Sequence, residues 1–240
     1  MMKALFSGIS ILACLAACST TSETQATSPG SDARTHTEDR LASASDSLSD
    51  FRTTIPDEVA SRPLCVVVLP QVVTAGLVVG GSGGQGFAAC RTEQGWSPPA
   101  PISIGGGSVG AQIGASSAAV LMLAMDDTAR RALLKGSFRL GADVSATAGQ
   151  VGKGTGVSND TGGGDIVSYS HSRGLFAGAV INGAELSQDQ DTTRVLYGTA
   201  VPLRMILEGR APMPGDPAAG RFTMALYRTF IGSGETVSAK

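Results

Sequence analysis

The chain is poor in the residues that most often carry chemistry. Among 240 residues there are two histidines, one tryptophan and four cysteines, and aromatic side chains make up only 5%. Neither Cys65 nor Cys90 has a second cysteine or a histidine at zinc-ligand spacing, so no metal site is expected. No cofactor is implied either. Charge is scarce too: 18 basic and 20 acidic residues leave a net charge of −2. Nucleic-acid binding rests on phosphate neutralisation by Lys and Arg, and a slightly acidic chain is poorly suited to it. What is abundant is glycine. Of 32 glycines, 25 fall between Gly76 and Gly198, interleaved with Val, Ile, Ala and Leu. That mixture marks bulges, tight turns and close backbone approach in a β-rich core rather than a linker.

The N-terminus points to a compartment. Lys3 is the only charge before Glu23, and an apolar run, Ala4 to Ala17, follows it. The run is too short to span a bilayer and has the order of a secretory signal. It ends in Leu15-Ala16-Ala17-Cys18, which resembles the bacterial lipobox, where the signal is cleaved before a cysteine whose thiol is then lipidated. The resemblance implies a signal peptide over 1–17 and a lipoprotein acylated (palmitate-type) at Cys18. Ser19 after the cysteine resembles an outer-membrane address, with the domain facing the periplasm. The alternative is an ordinary secretory signal with an incidental cysteine. Residues 18–37 are Ser-, Thr- and acid-rich with almost no large apolar side chain, the composition of a flexible tether. The domain is expected over 38–232 and a short tail over 233–240. Loss of Lys3 with the signal leaves a net charge of −3.

Within the domain, Leu41, Ala44, Leu48, Phe51 and Ile55 recur at spacings of three and four, one apolar stripe of a helix that Pro56 ends. Strand-like runs follow at Leu64–Leu69, Val72–Val79 and Phe87–Arg91. Gly80–Gly86 reads as the hairpin connection between the last two. Asp126 or Asp127 can cap a short helix ending at Lys135, with Gly136 beyond it. Phe138–Ala148 reads as one strand and Gln150–Gly164 as a long loop. Asp165–Ser172 and Leu175–Asn182 read as a strand pair. Val201–Glu208 suggests a helix, and Ala218–Phe230 a terminal helix with Pro217 in its first turn. The expected class is α+β: a Gly-rich, β-dominated core, sheet or partial barrel, flanked by an N-terminal helix and C-terminal helices.

Four segments carry a family resemblance. Tyr169-Ser170-His171-Ser172-Arg173-Gly174-Leu175-Phe176-Ala177-Gly178 is similar to the SYLF signature. Leu69-Pro70 precedes the Gly-rich block Gly76–Gly86. Gly95-Trp96-Ser97-Pro98-Pro99 resembles the family's Gly-x-Trp turn, and Ser108-Val109-Gly110-Ala111-Gln112-Ile113-Gly114 its Ser-x-Gly-x-Gln-x-Gly strand. The resemblance implies a lipid-associated, non-enzymatic domain, with phosphatidylinositol binding by eukaryotic relatives. Those relatives also bind actin, so an envelope protein-interaction scaffold is the alternative.

Arg130, Arg131, Lys135 and Arg139 cluster in sequence, and Lys153 and Arg173 lie in Gly-rich turns whose backbone N–H groups can meet an anion. These six are the candidate contacts to an anionic lipid headgroup; the other reading is a set of solvated cations. The N-terminal helix carries Glu38, Asp39, Asp46 and Asp50 against Arg40 and Arg52, which does not suit an anionic surface. Cys65 and Cys90 remain after processing, in a compartment that permits a disulfide; two buried thiols are the alternative. Gly81–Gly86 fits a dinucleotide fingerprint only if a helix follows it. Gly-x-Ser-x-Gly occurs at Ser82 and Ser108, and Ser108 with His171 and Asp165 is the one Ser/His hydrolase triad that can be written.

Overall fold

The structure is a computed structural model, and it describes residues 29–76, 79–109, 114–140, 145–148, 165–173 and 183–230. Helix α1 (Pro29–Arg52) comes first, and the short α2 (Asp57–Ala60) follows Pro56. The stripe expected for α1 is its buried side: Leu41, Ala44, Leu48 and Phe51 are fully buried, as is nearly all of Ile55. The helix starts earlier than its composition suggests, inside the segment expected as a tether. In the extension Thr37 is buried, with its hydroxyl donating to the Ala33 carbonyl one turn back at 2.8 Å, and Arg34 and Thr37 share a small recess with Val195, Leu196 and Pro217. The expected signal peptide over 1–17, Cys18 and the expected tail from 233 lie outside the described residues.

Among the described residues nine strands form one sheet: β1 (Cys65–Gly76), β2 (Val79–Thr92), β3 (Gly95–Trp96), β4 (Ala100–Val109), β5 (Gly114–Ala124), β6 (Ser137–Arg139), β7 (Ser145–Ala148), β8 (Asp165–Arg173) and β9 (Glu185–Gln188). The spatial order is β6-β9-β4-β2-β1-β5-β8-β7, with β3 paired to β2. All pairings are antiparallel except the β7–β8 pair. The order shows that the sheet is curled. A flat sheet would hold β6 and β7 seven strand spacings apart, about 34 Å. Yet Leu140, just after β6, is five residues from Ser145, a reach of about 18 Å at most. The two edges must therefore approach, giving a half-barrel.

This geometry corrects three sequence readings. Phe138–Ala148 is not one strand but two, on opposite edges of the sheet. Val72–Val79 is not a separate strand, because β1 runs through Pro70 by way of a register shift between Leu69 and Val72. Gly80–Gly86 is not a connection; it lies inside β2, and the chain reverses between Gly76 and Val79. Glycine is there because strands nearly touch. A Cβ on Gly84 would sit 2.7 Å from the Gln71 carbonyl oxygen, and one on Gly86 would collide with the Val68 carbonyl.

The remaining helices are α3 (Asp127–Leu134), α4 (Gln190–Tyr197), α5 (Leu203–Leu207) and α6 (Pro217–Phe230). Asp126 caps α3, accepting from the Ala129 N–H at 2.8 Å, and Gly136 takes a positive φ of 90° just past its end. Burial falls into two cores, one on each face of the sheet. Cys65, Val67 and Leu69 point into the concave face, closed by α3 and α5 with Leu133, Ile206 and Leu207. Val66 and Val68 point to the convex face, where α1 and α6 pack Phe51, Phe222 and Leu226 over Phe87. Burial on both faces explains why β1 opens as an unbroken apolar run. The architecture is α+β, a half-barrel clasped by helices from both ends of the chain. The expected strand Leu175–Asn182 and loop Gln150–Gly164 lie outside the described residues.

Candidate functional site

The six basic candidates do not form one cluster. Arg131 and Lys135 are exposed on and just after α3, and Arg139 on β6 pairs with Glu185 at 3.6 Å. Arg131 donates to Thr128 at 3.1 Å, and the Nε of Arg130 is buried without a hydrogen-bond partner among the described residues. Arg173 is elsewhere. It pairs with Ser117, whereas α3 starts just past Ala124, the partner of Ile166 at the other end of β8. Seven residues of strand separate the two levels, about 23 Å. Lys153 lies outside the described residues.

The hydrolase arrangement is not assembled. Ser108 is on β4 and His171 on β8, four strands apart, about 19 Å along the sheet. Asp165 and His171 are six residues apart on one continuous strand. The dinucleotide fingerprint fails as well, because the residues after Gly86 continue β2. Cys65 and Cys90 face each other in the β1–β2 register and are joined in a disulfide, fully buried in the concave core. Among the described residues no group of three or more His, Cys, Asp or Glu is placed to hold a metal ion.

The structure shows a recess that none of the sequence expectations contains. Beside its apolar stripe, α1 carries a second stripe: His36, Arg40, Ser43, Ser47 and Asp50, again at spacings of three and four, with Asp39 next to it. This stripe overhangs the convex face of the sheet where the strands turn to small residues. Together they line a groove of about 900 Å³. Gly83, Gly84, Ser117, Ala118 and Ala119 make its floor, with Gln71, Val73 and Gln85 at its margins. Side-chain alternation along β8 sets one end. Tyr169, opposite Leu121, is buried under the helices, and His171, two residues on and opposite Ala119, emerges into the groove. The His171 ring stacks on Phe51 with centroids 4.3 Å apart, and its Nε2 is 3.0 Å from the Thr54 hydroxyl. Both histidines of the chain line this groove.

The opposite wall is braced by a polar network. Asp189, 9% exposed, caps α4 and accepts from the Thr192 N–H at 2.9 Å, the Thr192 hydroxyl at 2.7 Å and the Gln85 amide at 2.8 Å. The Arg40 guanidinium stands 3.9 Å from the same carboxylate. A buried carboxylate with several donors is the arrangement that low-dielectric burial requires. The network ties α1, β2 and α4 together and turns the one Arg of the groove toward an acid. Asp39 and Asp50 are exposed in the groove and enter no ion pair among the described residues. The sequence signal for all this was the small hydroxyls Ser43 and Ser47 on a helix face where long charged side chains would be expected.

The fold and the recess define an α+β half-barrel domain with a polar groove between its N-terminal helix and its sheet. The family model described as Las17-binding protein actin regulator, Ysc84, matches residues 105–229, and the chain belongs to this SYLF (Ysc84) family. It is similar to Protein YSC84 of Saccharomyces cerevisiae, 32% identical over 170 residues, covering 69% of this chain and 36% of that protein. LAS seventeen-binding protein 3 of the same species is 29% identical over 165 residues, 67% of this chain and 36% of that protein. The human SH3 domain-containing YSC84-like protein 1 is 31% identical over 165 residues, 68% of this chain and 48% of that protein. The chain therefore spans about a third to a half of the length of these relatives.

Proposed function

We propose that the chain is an outer-membrane lipoprotein, anchored through Cys18, whose SYLF domain engages membrane lipid at an anionic headgroup without catalysis. The observation that carries the lipid contact is the α3–β6 corner. Arg131 and Lys135 are exposed there and meet no carboxylate among the described residues, and Arg139 is 67% exposed beside them. Exposed cations of this kind are drawn to an anionic lipid surface by about 1 kcal/mol each near the surface. The family resemblance supports a lipid-associated domain, and among the described residues no helix is long and apolar enough to cross a membrane.

Two measurements test the reading. The Cys18→Ser chain should incorporate no radiolabelled fatty acid, and unchanged labelling would overturn the anchor. The same unacylated chain should float with phosphatidylglycerol vesicles at low salt and less so at high salt. Arg131→Glu with Lys135→Glu should abolish flotation. Flotation that survives this reversal but is lost on neutralising Arg40 and Arg52 moves the contact to α1; no flotation under any condition overturns the lipid reading. A protein-interaction scaffold is the second reading. The groove favours it, because lipid at the α3–β6 corner leaves the groove without a role. One relative, LAS seventeen-binding protein 3, moreover carries a binding partner in its name.

A further inference from the structure

The groove between α1 and the sheet has a charge pattern opposite to that of the α3–β6 corner. We infer that it is a docking site for an extended, basic peptide segment of a partner protein. The inference rests on the scaffold reading and supplies the chemistry of the partner.

Length and charge select this occupant. From His36 to Asp50 the α1 wall runs 14 residues, about 21 Å at the helical rise, which matches six or seven extended residues. Asp39 and Asp50 are 11 residues apart, three helical turns, so both carboxylates project from nearly the same side of α1 about 16 Å apart. Both line the groove and are exposed. The single Arg of the wall, Arg40, is held toward Asp189 and Thr192 on α4. The uncompensated charge of the groove is therefore negative at two separated points. A segment with Lys or Arg at positions four to six residues apart places one cation at each.

The rest of the lining suits a peptide backbone. Ser43, Gln71, Gln85 and Ser117 offer hydroxyl and amide groups along the groove. The floor of Gly83, Gly84 and Ala118 lets a main chain approach closely, and Val73, 43% exposed, gives an apolar contact for the methylene stem of a lysine. An anionic headgroup is disfavoured here by Asp39 and Asp50.

The test uses the full Cys18→Ser chain and a labelled heptapeptide with lysines at its second and sixth positions among Ser, Val and Gly. Fluorescence anisotropy should show saturable binding that weakens with salt. Asp39→Asn with Asp50→Asn should weaken it about tenfold, as expected for two exposed charge pairs. These substitutions lie on the exposed side of α1, and an unchanged denaturation midpoint shows that the fold is kept. A peptide of the same composition with adjacent lysines should bind several-fold more weakly. Ser117→Leu, which raises the floor, should also weaken binding, whereas Arg131→Glu with Lys135→Glu should leave it unchanged. Absence of binding, an unaltered affinity in the double Asn variant, or equal displacement by spermine, a diffuse polycation without a peptide backbone, each overturns the inference. Vesicle flotation by the same chain then reports on the lipid reading separately.

Discussion

The central strands of the sheet have two halves built on different principles. In the proximal half, Cys65–Leu69, Phe87–Cys90 and Val120–Ala124 are buried, and helices cover both faces. In the distal half, Gln71–Ala75 alternates exposed and buried, and beyond the Gln71–Gln85 pair its neighbours are glycines, serines and alanines. The change falls at one place, the register shift after Leu69. The comparison shows that side-chain volume divides the labour here. Large side chains appear where helices dock, and small ones where the sheet is left open to form the floor of a groove. The glycines of the sheet thus differ in what surrounds them. At Gly84 and Gly86 they permit close passage beside β1, while at Gly105 on β4 there is open space.

Breaking the boundary should have the largest effect. Gly86→Val forces a Cβ into the Val68 carbonyl, and urea denaturation should show a loss of about 3 kcal/mol or more. A loss below 1 kcal/mol would mean that the strands can part there. Next comes the staple within the proximal half. Replacing Cys65 and Cys90 together by Ala should cost about 3 kcal/mol, and alkylation of the unreduced, denatured protein should find neither thiol free. Asp126→Ala removes the α3 cap beside the concave core and should cost about 1 kcal/mol by the same measurement. The smallest effect sharpens the contrast. Gly105→Ala meets nothing within 4 Å and should shift stability by less than about 0.5 kcal/mol. A large loss would show that the distal half is as tightly packed as the proximal one.

The parts legible in the sequence were those with strong local signals. The α1 stripe, the Asp126 cap, the Gly136 stop and Pro217 at the head of α6 each have a local physical cause, and each stands in the structure. The β2 glycines misled because Gly is common in turns. What fixes them in a strand is the close approach of β1, a long-range fact with no local trace. The split of Phe138–Ala148 between opposite edges likewise depends on the curl of the whole sheet. Helix α4 also has local signals, with Asp189 as its cap and Gly198 ending it in a left-handed conformation. The groove was half visible. The stripe His36-Arg40-Ser43-Ser47-Asp50 has helical spacing, but its polarity reads as solvent contact until the small-residue face of the sheet is placed beneath it.

The clasp of α1 by α6 has a consequence for synthesis. The Thr229 hydroxyl of α6 donates to the Leu48 carbonyl of α1 at 3.3 Å, across 181 residues of chain. At about 5–20 residues per second, α1 is made roughly 10–40 s before the helix that covers it. During that interval the apolar stripe of α1 has only the sheet to cover it and lacks the share of its core that Phe222 and Leu226 complete.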